Sequence, residues 1–181
     1  MQISAFVLLL FAWIPVEAAG PNPVELGNVQ WERDLDQAIE KAQKVDQPVF
    51  ILFQEIPGCA TCRNYGQGIL TDPFIVEAIE SLFVPVAIYN NRPGKDAEIL
   101  QSFGEPSWNN PVVRIVNPLK ADLSPRLSGD YSKAGILQAM ITALETNGQK
   151  PPMYLKLLLE THKAAQANTE TAVFSMYCFW S

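Results

Sequence analysis

An α/β fold, a central sheet covered by helices on both faces, is predicted by two features of the sequence. Amphipathic helical stripes alternate along the chain with short, continuously apolar runs. Those runs lack the in-and-out alternation of a half-exposed strand, so they suit strands buried on both faces. With 181 residues, 48% of them hydrophobic, the chain has the size and apolar content of one well-filled domain and is short for two.

The elements follow in order. Residues 5–14 are an apolar run too short for a standard membrane span. Pro15 breaks it, and Val16-Glu17-Ala18 places small residues at −3 and −1 of a cleavage point after Ala18. This is the grammar of a signal peptide over residues 1–18, although no Lys or Arg precedes the run. An uncleaved N-terminal anchor, and with it a membrane association, is the second reading. Residues 19–30 are rich in Pro, Gly and Asn and read as a linker. Residues 31–45 read as a helix, with Leu35, Ala38, Ile39 and Ala42 on one face. Val49-Phe50-Ile51-Leu52-Phe53 is the first strand. Thr71-Asp72-Pro73 opens a helix with a polar cap and an early proline. Its apolar stripe is Phe74, Ile75, Ala78, Ile79 and Leu82. Residues 83–89 form the next strand, 95–103 a short helix, 111–116 a third strand and 126–128 a short fourth. Residues 132–144 are a helix that ends the domain near Gly148. Pro151-Pro152 starts a last amphipathic helix that runs to about Ala167. No internal repeat or low-complexity tract interrupts the pattern.

Charge and cysteine content narrow the function. Thirteen Lys and Arg against nineteen Asp and Glu leave a net charge of −6 with no basic run, which argues against a nucleic-acid partner. Three cysteines are too few for a disulfide-stapled scaffold. Two of them, Cys59 and Cys62, stand in EIPGCATC directly after the first strand.

A free thiol titrates near ~8.5, and the thiolate is the nucleophile. A cysteine at a helix N-terminus meets unpaired N–H groups and the positive end of the dipole, both of which favour the anion. A second cysteine one turn on can resolve a mixed disulfide. CxxC at a strand-to-helix junction meets both needs. Two other readings stay open on the residues alone. A metal site needs about four ligands, and the remaining candidates, Cys178 and His162, are distant in sequence. The pair can also be two inert structural thiols. His162 itself reads as a solvated helix residue.

The stretches QPVFILFQ, CATC, LTDPFIVEAIE and FVPVAIYN, in this order, resemble the thioredoxin-like family, in its exported or bacterial branch. The resemblance covers residues 31–144. It implies a thioredoxin-like three-layer α/β/α domain with a central mixed sheet. It also implies thiol–disulfide exchange with protein thiols or disulfides, using the two sulfurs and no cofactor or metal. Cys59 is then the attacking thiolate and Cys62 the resolving thiol. Pro111, in WNNPVV, matches the family's cis-proline beside the dithiol and shapes the substrate groove. Trp108 either flanks that groove or packs in the core. The chain departs from the family in three ways. Its CxxC centre is Ala60-Thr61, and Gly58 precedes Cys59 where the family has Trp. The strand before the dithiol carries no acid at Ile51, Leu52 or Phe53. Glu55 is the nearest carboxylate, either a proton relay for Cys62 or a loop acid in water. A binding module with an idle dithiol is the alternative function.

The tail, TAVFSMYCFWS, resembles the strand and GCFW motif that open methionine sulfoxide reductase A, with Tyr177 in place of the glycine. That family's nucleophile would correspond to Cys178. The resemblance implies a fusion whose first module donates electrons to a methionine sulfoxide reductase, here broken off over residues 149–181. No sulfoxide reductase activity is expected of this polypeptide.

Overall fold

The structure is a computed structural model that describes residues 22–108 and 111–167. The leader, the Asn110–Pro111 peptide and the segment with Cys178 lie outside the described residues. No helix among the described residues is long and apolar enough to cross a membrane.

The described chain opens with a 3₁₀ turn, Val24–Leu26. Helix α1 is Leu35–Val45. It starts at Asp34, whose side chain accepts the N–H groups of Asp36 and Gln37. Residues 31–34, expected as helix, are extended instead. The Glu32 N–H and carbonyl are already taken by Pro85 and Ala87 at 2.9 and 3.0 Å. Strand β1 is Val49–Gln54, α2 is Ala60–Gly68 and α3 is Pro73–Leu82. Asp72 caps α3 through the N–H groups of Phe74 and Ile75. Then come β2 (Val84–Tyr89), α4 (Lys95–Ser102), β3 (Val112–Val116) and β4 (Leu127–Ser128). Helices α5 (Lys133–Thr146) and α6 (Met153–Gln166) complete the order.

The four strands lie in the order β2-β1-β3-β4. β1 pairs in parallel with β2 and antiparallel with β3, so the sheet is mixed. β1 explains the continuous apolar run. Val49, Ile51 and Phe53 point to one face, where they pack with Leu35, Ala38 and Ala42 of α1 and Ile99 and Leu100 of α4. Phe50 and Leu52 point to the other face, under α2, α3, α5 and α6. Both faces are dry, so period-two alternation has nothing to select. The three-layer α/β/α arrangement predicted from the sequence is the arrangement found.

Two expected boundaries change. The stretch expected as a linker is part of the fold from residue 22: Leu26 and Val29 are buried in the core. The expected break at residue 148 is also absent, because Leu155 and Leu159 of α6 enter the same core. Composition misled both times. A short turn rich in Pro and Gly has no periodicity, yet two of its apolar side chains suffice to anchor it.

Past α4, Glu105 carries a buried ion cluster. Its side chain is 1% exposed and takes Arg114 Nε at 2.6 Å and Arg126 Nη2 at 2.7 Å. Arg126 Nε also donates to Glu105 Oε1 at 2.7 Å, so that contact is bidentate. Arg114 belongs to β3 and Arg126 precedes β4. The cluster therefore ties the start of the loop holding Trp108 to the strands that follow it.

Candidate active site

β1 lies between β2 and β3, and after its last residue, Gln54, the chain turns through Pro57-Gly58 into α2. Cys59 is the N-cap residue of α2, with extended backbone, and Cys62 lies in the first helical turn. The helix starts at Ala60. Cys59 is exposed and Cys62 is fully buried. Their sulfurs are 3.5 Å apart. A disulfide needs about 2.05 Å, so a shift of about 1.5 Å closes one.

The two thiols have opposite acidities. The backbone N–H of Cys62 points at the Cys59 sulfur and lowers its pKa, with further lowering from the Cys62 side chain and from Thr61. Partial desolvation opposes this and does not win. Burial pushes the Cys62 thiol up to about 11, and the neighbouring Cys59 adds to the rise. The exposed sulfur is therefore the more readily ionised of the two, and the buried one beneath it the less.

Glu55 is half-buried, and a carboxylate oxygen of it lies with both sulfurs inside a 4.8 Å cluster. Among the described residues this is the one trio of His, Cys, Asp or Glu donors so closely grouped. It supplies three donors, whereas a closed structural metal site takes four. His162 lies on α6, half-buried.

Pro111 is buried and directly precedes Val112, which pairs with Phe53. The topology thus brings Pro111 to the sheet end from which the dithiol loop departs. The cis state expected for its peptide bond involves Asn110, outside the described residues. Trp108 is 81% exposed, which removes core packing as its role. Cys178, also expected as a nucleophile, is outside the described residues.

Two residues at the site were missed in the sequence. Gln54, buried at the end of β1, donates from Nε2 to the carbonyls of Glu25 (2.9 Å) and Cys62 (3.1 Å). Among the described residues its buried Oε1 has no hydrogen-bond partner. Glu25, 4% exposed, accepts the Gly58 N–H at 2.8 Å through Oε1. The polar residue closing an apolar strand was a usable signal for Gln54. Glu25 sits in an aperiodic stretch and gave none. Gly58 has no room for a side chain: a Cβ there would lie 2.6 Å from Cys62 Cβ and 2.4 Å from the Glu55 carbonyl oxygen.

Comparison with known proteins agrees with this geometry. Residues 30–118 match the family described as thioredoxin-like. No curated protein sequence matches the chain. Among solved structures, a thioredoxin from Thermus thermophilus is similar at 21% identity and a TM-score of 0.57, covering 66% of this chain and 90% of its own. A structure described as DsbH oxidoreductase is similar at 18% identity and a TM-score of 0.56, covering 70% and 92%. The chain has the thioredoxin-like fold, with its family match over residues 30–118 and a CxxC pair at the N-terminus of α2.

Proposed function

We propose that the chain is a thiol–disulfide oxidoreductase acting on protein thiols or disulfides, with Cys59 as nucleophile and Cys62 as resolving thiol. The observation that carries this reading is the pair of sulfurs 3.5 Å apart at the N-terminus of α2, one exposed and one buried.

In the reducing direction the Cys59 thiolate attacks one sulfur of a substrate disulfide. A mixed disulfide forms and one substrate thiolate leaves. Cys62 then gives up its proton, and its sulfur attacks Cys59 Sγ. The mixed disulfide breaks, the second substrate thiolate leaves, and Cys59–Cys62 closes as a disulfide. Two electrons pass from the pair to the substrate. Glu55, the carboxylate within reach of both sulfurs, accepts the Cys62 proton. Pro111 and the exposed Trp108 border the groove in which an extended substrate segment lies.

The leader grammar supports export, with cleavage after Ala18 and a periplasmic or secreted mature protein. N-terminal sequencing of exported material should begin within a residue or two of Ala19, and intact Met1 in the membrane fraction would indicate an anchor. The tail motif around Cys178 supports a methionine sulfoxide reductase as one electron acceptor. Transfer to a separate reductase of that kind, followed by loss of free Cys59 and Cys62 thiols, tests it.

The reading itself is tested by reduction of insulin with dithiothreitol. The chain should accelerate it, and the Cys59→Ser variant should not. Equal rates with and without the wild-type chain would leave a binding module with an idle dithiol.

A further inference from the structure

Glu25 comes from outside the residues that match the family, yet it reaches the residues around the dithiol by two routes. Its carboxylate takes the N–H of Gly58, the residue before Cys59. Its carbonyl takes one proton of Gln54 Nε2, and the same nitrogen donates to the carbonyl of Cys62. The peptide around Glu25 also lies on α2 itself. A Cβ at Gly66 would stand 2.1 Å from the Val24 carbonyl oxygen and 2.6 Å from Glu25 Cα, so glycine is what lets the turn approach. The 3₁₀ turn is therefore fixed to the helix, and the loop before the helix is fixed to the turn. Cys59 and Cys62 sit between the two anchored points.

We infer that Glu25 is a positioning residue for the dithiol: its carboxylate acts as a hydrogen-bond latch on Gly58 that holds Cys59 in the N-cap geometry. This deepens the redox reading and rests on it. The Cys59 sulfur is activated by N–H groups of the first turn of α2, and these reach it only while the preceding loop stays in place. Without the latch, the half-buried Gly58 N–H loses its protein partner, and the loop relaxes toward water. Cys59 then spends less time against its donors and less time as thiolate.

Geometry and charge make opposite demands here, which separates them. Glu25 is also an acidic side chain near two thiols. If its charge were what mattered, removing it would favour the Cys59 thiolate. If the latch matters, removing it disfavours the thiolate.

The experiment is the rate of iodoacetamide alkylation of Cys59 in the full, reduced chain, across pH, read by peptide mass. Glu25→Ala should slow alkylation about three- to tenfold below neutral pH and move the midpoint of the pH profile up by about half to one unit. Glu25→Gln keeps an acceptor oxygen at the same reach and should restore the wild-type profile. Glu25→Asp keeps the charge but falls one methylene short, so it should behave like Glu25→Ala. It also stands in if the alanine variant does not fold. Faster alkylation in both Glu25→Ala and Glu25→Gln would assign the effect to charge and overturn the latch. So would wild-type rates in Glu25→Ala and Glu25→Asp. Alkylation needs no partner protein, so this outcome is independent of the insulin assay that decides the redox reading.

Discussion

A chain carrying Cys62→Ser is expected to stop halfway through exchange and accumulate a mixed disulfide through Cys59. Cys59→Ser is expected to form none and to lose exchange by several orders of magnitude, as removal of a nucleophile does. The asymmetry follows from burial. Cys59 is exposed and meets a partner's disulfide, whereas Cys62 is fully buried and can attack only the sulfur 3.5 Å away. The pH dependence has the same source. The Cys59 pKa is lowered, chiefly by the Cys62 backbone N–H, so its alkylation should be half-maximal at a lower pH than that of an ordinary free thiol. Cys62, raised to about 11, should stay unlabelled until well above that. Mass spectrometry of the trapped adduct checks the assignment. A mixed disulfide on Cys62 in the Cys59→Ser variant, or earlier labelling of Cys62, would exchange the two roles.

Glu105→Ala is expected to destabilise the fold by about 3–5 kcal/mol, the cost typical of removing one partner from a buried ion cluster. The variant takes the shared carboxylate from Arg126 and Arg114, of which Arg114 keeps Asp122 at 2.7 Å. For a domain of this size that is a fall in Tm on the order of 10 °C. The cluster also sets an acid limit. Burial pushes the Glu105 carboxyl up, but Arg126 and Arg114 more than offset this and hold it below the usual range. A carboxylate with a lowered folded pKa stabilises fully above its unfolded value, near ~4.3, and loses that contribution as pH falls through the folded value. Thermal unfolding from pH 7 to pH 3 should therefore show the gap between wild type and Glu105→Ala narrowing at the acid end. A constant gap across this range would mean that the cluster's charges contribute little.

The fold was legible where burial imposes a period. The α3 stripe of Ile75, Ala78 and Ile79, and the β1 run buried on both faces, each left a pattern in the sequence. The caps were legible too: Asp72 followed by Pro73 marks the start of α3 because one carboxylate meets two free N–H groups. Less visible were contacts made by single residues. Trp31 and Glu32 continue the helical pattern of α1, but the edge of β2 claims the Glu32 backbone and holds the segment extended. The site divides the same way. Cys59 and Cys62 announce themselves by spacing and by their place after a strand. Glu25 does not, because its role depends on a turn folding back onto α2, and nothing local encodes that distance. Trp108 was open in the sequence between groove and core, and the loop leaves it in solvent.

The central claim is that Cys59 and Cys62 form a reversible two-electron couple. Equilibrating the full chain in glutathione buffers of graded ratio, then quenching and mapping free and bonded cysteines by peptide mass, tests it most directly. Cys59 and Cys62 should oxidise together in one transition, as an internal disulfide, with the same midpoint from the reduced and the oxidised side. A pair that stays reduced at every ratio, or that oxidises only as separate glutathione adducts, would contradict it.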